Sequence, residues 1–210
     1  MIIIGLTGSI GMGKSTAAKM LGEMGIPCHD SDATVHELMG VGGKAVAAIG
    51  ALCPAALQKD AQGQEFIDRK TLGAQFFADP SLKSQVEGIL FPLVRESSDA
   101  FVAEKKKAGV RAVVLDIPLL FEVGRDKDVD VTIVVSAPKE VQRERVLARG
   151  TTQERLDAVL KSQLPDAEKR ARATYVVETH KGFDDTRTQL AGIVQKLLLP
   201  PKAPPPKFCL

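Results

Sequence analysis

Residues 8–15 read Gly-Ser-Ile-Gly-Met-Gly-Lys-Ser, and they break an apolar run that opens the chain at Ile2-Ile3-Ile4. The spacing G-x-x-x-x-G-K-[ST] is that of a phosphate cradle. Glycines let successive backbone N–H groups turn inward onto one anion, because no Cβ stands in the way. Gly8, Ser9, Ile10, Gly11, Met12 and Gly13 supply that backbone, and Lys14 adds a full positive charge. The Ser15 hydroxyl can sit on the Mg²⁺ that travels with a nucleoside triphosphate. A helix starting at Lys14, Ser15 and Thr16 points the positive end of its dipole at the same phosphates. Ala17, Ala18, Leu21 and Met24 recur at helical spacing before Gly25 and Pro27 stop the run. Strand, glycine loop and helix thus follow in the order that the motif requires.

Further apolar runs at Gly25–Cys28, Ala112–Leu115, Val131–Val135 and Tyr175–Val177 alternate with helical patterns. That alternation predicts an α/β fold with a central parallel sheet flanked by helices. Residues 32–107 interrupt it with mostly helix-favouring residues and no strand expected before Val110, so they read as a helical insertion. Phe76, Phe77, Leu82, Val86, Ile89, Leu90, Leu93 and Val94 mark packed helices there, and Asp79-Pro80-Ser81 marks a fresh helix start. Residues 141–172 form a second helical excursion, crowded with Arg143, Arg145, Arg149, Arg155, Lys161, Lys169, Arg170 and Arg172. Arg145 and Arg149 follow Val141 near the inward stripe and are candidates to grip phosphate or base, whereas the others read as surface charges. The core of the single unit 1–199 is therefore 1–31, 108–140 and 173–199, ending in a helix over Thr186–Leu199. Residues 200–210 are proline-rich and should form an extended, disordered tail.

A chain of 210 residues, 44% hydrophobic and with formal net charge +2, can bury a real core and has no general reason to seek nucleic acid or a membrane surface. The apolar opening run is too short to span a bilayer. Cys28, Cys53 and Cys209 are odd in number and show no framework spacing, which points to reduced thiols in a cytoplasm. A monomer is the simplest expectation, although the sequence leaves the oligomeric state open.

In a parallel sheet, ligands bind at the carboxyl ends of the strands, so acids just past predicted strands can reach the phosphates. Asp30-Ser31-Asp32 follows the second run and Asp116 closes the third. Asp116 could support the Mg²⁺ water shell or brace the turn at Pro118, and the two readings stand level. Asp30 and Asp32 could cap a helix, but two carboxylates beside a phosphate cradle suit phosphoryl transfer better, one positioning and one accepting the hydroxyl proton. Asp32, at the start of the insertion, is the expected base.

With these residues in hand, the chain resembles the dephospho-coenzyme A kinase family over residues 2–198. The resemblance rests on the loop from Gly5 to Thr16, the pair Asp30 and Asp32, and Pro118-Leu119-Leu120-Phe121-Glu122. Arg69 with Leu72, Gly73 and Phe77 is similar to that family's helical substrate domain, and Arg145, Arg149 and Gln163 to its lid. The resemblance implies a P-loop kinase that moves the γ-phosphate of ATP, with Mg²⁺, onto the ribose 3′-hydroxyl of dephospho-coenzyme A, the last step of coenzyme A synthesis. It implies an acceptor site at Asp30, Asp32, Arg69, Pro118 and Leu119, and a nucleotide site at residues 8–16 with Arg145 and Arg149 closing over it. Phe91 stands where the family usually has histidine, Thr174 replaces a usual aspartate, and Thr179 stands near a usual asparagine. A kinase for another small metabolite would share the loop without needing Pro-Leu-Leu-Phe-Glu. A GTP-dependent switch should carry Asn-Lys-x-Asp or Thr-Lys-x-Asp, and neither occurs in the chain.

Overall fold

In the computed structural model, which describes residues 1–199, five strands form one all-parallel sheet. They are β1 (Ile2–Thr7), β2 (Cys28–Asp30), β5 (Ala112–Asp116), β6 (Val131–Ser136) and β7 (Tyr175–Glu178), in the order β2-β5-β1-β6-β7. The run that feeds the phosphate loop is thus the central strand. Every residue of β5 is buried, as is expected of a strand covered on both faces.

Helix α1 (Lys14–Glu23) and the C-terminal helix α9 (Phe183–Leu198) cover one face, where Leu21, Ile26, Leu190 and Ile193 pack on Ile4, Leu6, Ile133 and Val135. On the other face, Phe101 and Val102 of α5 (Pro80–Lys107) lie against Leu115, Ile117 and Leu120. Among the described residues, no helix is long and apolar enough to cross a membrane.

The second run starts later than its apolar residues suggest. Gly25, at φ 83°, ends α1 while Ile26 N–H bonds back to Leu21 O, so Gly25–Pro27 is a helix-terminating turn and the strand is Cys28–Asp30. That shift makes Asp30 the last strand residue and Asp32 part of the next helix.

The insertion holds α2 (Ser31–Met39), α3 (Val46–Leu52), α4 (Arg69–Ala78) and α5, with a core of its own that includes Leu38, Ile49, Leu82, Val86, Leu90 and Val94. Asp30, Asp68 and Asp79 each accept backbone N–H bonds at the helix that follows, which fixes where α2, α4 and α5 begin. Contrary to the sequence expectation, the insertion also contains an antiparallel hairpin of β3 (Leu57–Lys59) and β4 (Glu65–Ile67). Its strands are too short to show alternation, and the signal lies in the turn. The Asp60 carboxylate accepts from Gln62 N and Gln64 N, and Gly63 takes φ 78°.

The second excursion is three helices, α6 (Lys139–Leu147), α7 (Gln153–Lys161) and α8 (Asp166–Arg172). Lys169 is not the surface charge that composition suggests. Its side chain is 0% exposed and its Nζ lies 2.8 Å from Glu122 Oε1, because a half-buried carboxylate meets this face of α8. The expected proline-rich tail, 200–210, lies outside the described residues.

Candidate active site

The phosphate loop takes the predicted form at the carboxyl end of β1. Gly8 packs so tightly on β6 that a Cβ would stand 2.4 Å from Val135 Cγ2 and 2.8 Å from Val135 O, a clash with backbone that no side-chain movement relieves. Gly13 precedes α1 at φ 91°, the left-handed region that frees the first amides of the helix to face the loop. Met12 is buried, and its Sδ accepts from Ala137 N at 3.1 Å, anchoring the loop to the end of β6. Ser15 is exposed at the helix start, and Thr16 lines the cavity beside it.

Lys14 Nζ lies 2.6 Å from Asp116 Oδ1. The pair is formed by register: Leu6 of β1 and Asp30 of β2 both align with Asp116. Asp116 is 2% exposed, and burial holds its carboxyl above the ordinary value of 3.8, only partly offset by the pull of Lys14. A carboxyl raised above its unfolded value contributes stability that is full in acid and lost as pH rises through the folded value. The melting temperature of Asp116→Asn relative to wild type should therefore climb as pH is raised from 3.8 through that value. Scanning calorimetry at several pH values reads this, and an offset that does not change with pH would contradict it. The neighbouring Cys28 thiol is pushed up to about 12, chiefly by burial, which leaves it unreactive.

The two aspartates after β2 are placed differently. Asp30 Oδ1 accepts from Asp32 N at 2.9 Å and Ala33 N at 3.0 Å, so its carboxylate is the N-cap of α2. Asp32 is exposed and lines a cavity of about 430 Å³ with Ser31, Val35, Phe91, Pro92 and Arg95. Across it stand Ile117, Pro118, Leu119, Val123 and Arg125. The motif 118–122 divides its labour: Pro118 and Leu119 wall the cavity, Leu120 and Phe121 are buried, and Glu122 turns to α8. Pro118 O also accepts from Thr7 Oγ1 at 2.9 Å, which ties this loop to β1.

Arg95 and Arg125, absent from the sequence reading, bring two guanidinium groups to the cavity and both pair with Asp128. No motif surrounds them. Gly124, at φ 69°, is the one local hint that the chain turns Arg125 inward. Arg69 is not among the lining residues. Its guanidinium contacts the His36 ring, because α4 starts at the Asp68 cap behind α2.

A second cavity of about 340 Å³ is lined by Gly13, Thr16, Arg145, Ala148, Arg149, Thr179, Phe183 and Thr186. Arg145 does not hang free. It donates to Thr179 Oγ1 at 2.9 Å, to Thr179 O at 2.6 Å and to Gly11 O at 3.5 Å, while Thr179 Oγ1 donates to Met12 O. Gln142 Nε2 donates to Ile10 O, and Val146 is buried, so α6 is already seated on the phosphate loop. Arg149 is exposed at the rim. Phe183, 73% exposed beside it, offers a flat apolar surface that the sequence reading passed over. Thr174 serves the sheet instead, exchanging hydrogen bonds with Thr132 at the start of β7.

Residues 2–185 match the family described as dephospho-CoA kinase. Curated relatives bearing that name include those of Bradyrhizobium diazoefficiens, 47% identical over 96% of this chain and 98% of the relative, and Brucella melitensis, 46% identical over 97% and 98%. A crystal structure from Thermus thermophilus superposes with a TM-score of 0.80 at 34% identity, over 95% of this chain and 98% of the other. Shikimate kinase from Bacteroides thetaiotaomicron, at 17% identity and TM-score 0.51, shares the fold. The chain is a member of the dephospho-CoA kinase family.

Proposed function

We infer that this chain converts dephospho-coenzyme A to coenzyme A, moving the γ-phosphate of ATP onto the ribose 3′-hydroxyl, and that the two cavities divide the substrates between them. The observation that carries the reading is the position of Asp32, an exposed carboxylate that lines the larger cavity two residues past Asp30, which aligns with Asp116, the partner of Lys14. ATP fits the smaller cavity, with the adenine beside Phe183 and Thr179 and the phosphates on residues 8–16. Arg145 braces that cradle and Arg149 reaches over it. The acceptor fits the larger cavity, where Arg95 and Arg125 suit its anionic groups and Val35, Phe91, Pro118 and Leu119 suit its base. For Arg69 we propose contact with an outer part of the same extended molecule.

Asp32 would accept the hydroxyl proton, Asp30 would hold α2 and thereby Asp32 in place, and Lys14 would leave Asp116 for the migrating phosphoryl group. Among the described residues no group of three metal-ligating side chains exists. Ser15 and the buried Asp116 carboxylate are the residues that would hold Mg²⁺, whose charge would neutralise that developing on the phosphates. A cytoplasmic location is the reading that three cysteines without framework spacing support.

A coupled assay with ATP, Mg²⁺ and dephospho-coenzyme A, run beside adenosine, AMP and shikimate, tests the reading. Turnover should be confined to dephospho-coenzyme A, and preference for shikimate or AMP would replace it with another small-metabolite kinase.

A further inference from the structure

Glu122 is half-buried, its side chain 14% exposed, between two parts of the site that it does not itself line. Its Oε1 accepts from Leu164 N at 2.9 Å and lies 2.8 Å from Lys169 Nζ, while its Oε2 has no hydrogen-bond partner among the described residues. Leu164 is the point where the chain returns from α7, and the preceding residue, Gln163, accepts with its Oε1 from Ile10 N of the phosphate loop at 3.3 Å. Arg172, at the far end of α8, pairs with Asp126 at 2.9 Å and lies over the Phe121 ring at 4.5 Å. On its other side α8 is held by Ser136, through Asp166 at 2.7 Å and Arg170 at 2.9 Å, and Arg170 pairs with Glu178. Helix α8 is therefore fastened to the loop 117–128 and to the sheet at both ends. Helix α7 buries only Leu156.

From this we propose that Glu122 is a positioning residue. It sets where the thinly packed segment, residues 149–163, re-enters the fold, and so holds Gln163 on the phosphate loop from the same loop whose Pro118 and Leu119 wall the acceptor cavity. Helices α6 and α8 are fixed posts and only the stretch between them closes. Occupancy of the acceptor cavity is transmitted through Glu122, so acceptor and nucleotide each tighten the binding of the other by the same factor. The inference rests on the assignment of the two cavities, which fails separately, as absence of dephospho-coenzyme A turnover in the wild-type protein.

The test separates position from charge. Removing one member of a buried ion pair strands the other, whereas replacing both with apolar groups of similar size is often tolerated. Glu122→Met/Lys169→Met lacks both charges and the acceptor for Leu164 N, while Glu122→Gln/Lys169→Met lacks the charges but keeps a carbonyl there. The Met/Met protein should lose about tenfold in kcat/KM for ATP, mainly through KM, and the acceptor should no longer tighten a non-hydrolysable ATP analogue. The Gln/Met protein should keep both properties. Equal losses in the two variants, or wild-type coupling in Met/Met, would overturn the proposal. Hydrogen exchange on the unaltered protein needs no variant: without ligand the Leu164 amide should be protected and those of 153–161 should not, gaining protection with the analogue. Leu164 exchanging as fast as α7 would equally overturn it.

Discussion

Lys14→Ala should fold and still bind ATP weakly, yet transfer phosphate at about a hundredth to a thousandth of the wild-type rate. Among the described residues of the loop Lys14 is the cation, and it alone can follow the migrating group into its transition state, where losing one such donor costs about 2.7–4 kcal/mol. The ligand-free geometry adds a second effect. Asp116 is buried, its carboxyl already raised, and Lys14 is its partner at 2.6 Å. Without that ammonium, Asp116 would take up a proton more readily still and become a poorer support for a divalent cation. Single-turnover kinetics over a range of Mg²⁺ concentrations would show both effects, as a lower plateau and a weaker Mg²⁺ dependence. A folded Lys14→Ala protein that keeps more than about a tenth of wild-type turnover would rule out the assigned role.

Asp32→Asn should lose turnover by about 10²–10⁴, equivalent to about 2.7–5.4 kcal/mol, with little change in ATP affinity, because it removes a base and leaves its shape. Asp30→Asn should be far milder. Asparagine caps helices about as well as aspartate, so the bonds to Asp32 N and Ala33 N survive the change. The comparison of the two amides is sharper than either alone. Collapse in Asp30→Asn with near-normal Asp32→Asn would exchange their roles, and modest losses in both would mean that neither is the base.

The loop 8–16 was legible because it is contiguous: its glycines, Lys14 and Ser15 are near neighbours in the chain, and glycine leaves an unmistakable mark. Strands β1, β5, β6 and β7 were legible for a similar reason, being apolar runs set between helices, whereas β2 shares only Cys28 with its apolar run and ends in the polar His29 and Asp30. Asp32 drew notice because it lies two residues past a strand, and the structure places it on the larger cavity. Arg95 and Arg125 could not, because they come from a helix and a turn that meet only in the folded molecule, and each looks locally like any solvated cation. Lys169 was misread on the same ground: nothing on its own helix announces that Glu122 waits opposite. The hairpin at 57–67 was hidden by brevity, since three residues give too little alternation to outweigh helical propensity.

Leu6, Asp116 and Asp30 stand side by side on three adjacent strands, so the phosphate loop and both carboxylates are graduations on one ruler. Such a ruler has no fine adjustment. A strand that slipped by one residue would move its carboxylate by about 3.3 Å and turn it to the opposite face of the sheet. The distance between the end of β1 and the two carboxylates is thus quantised. Variation among chains built this way can change loops, helix faces and cavity walls continuously, but the spacing across the ladder has only one working value, and a chain either has it or has no site at all.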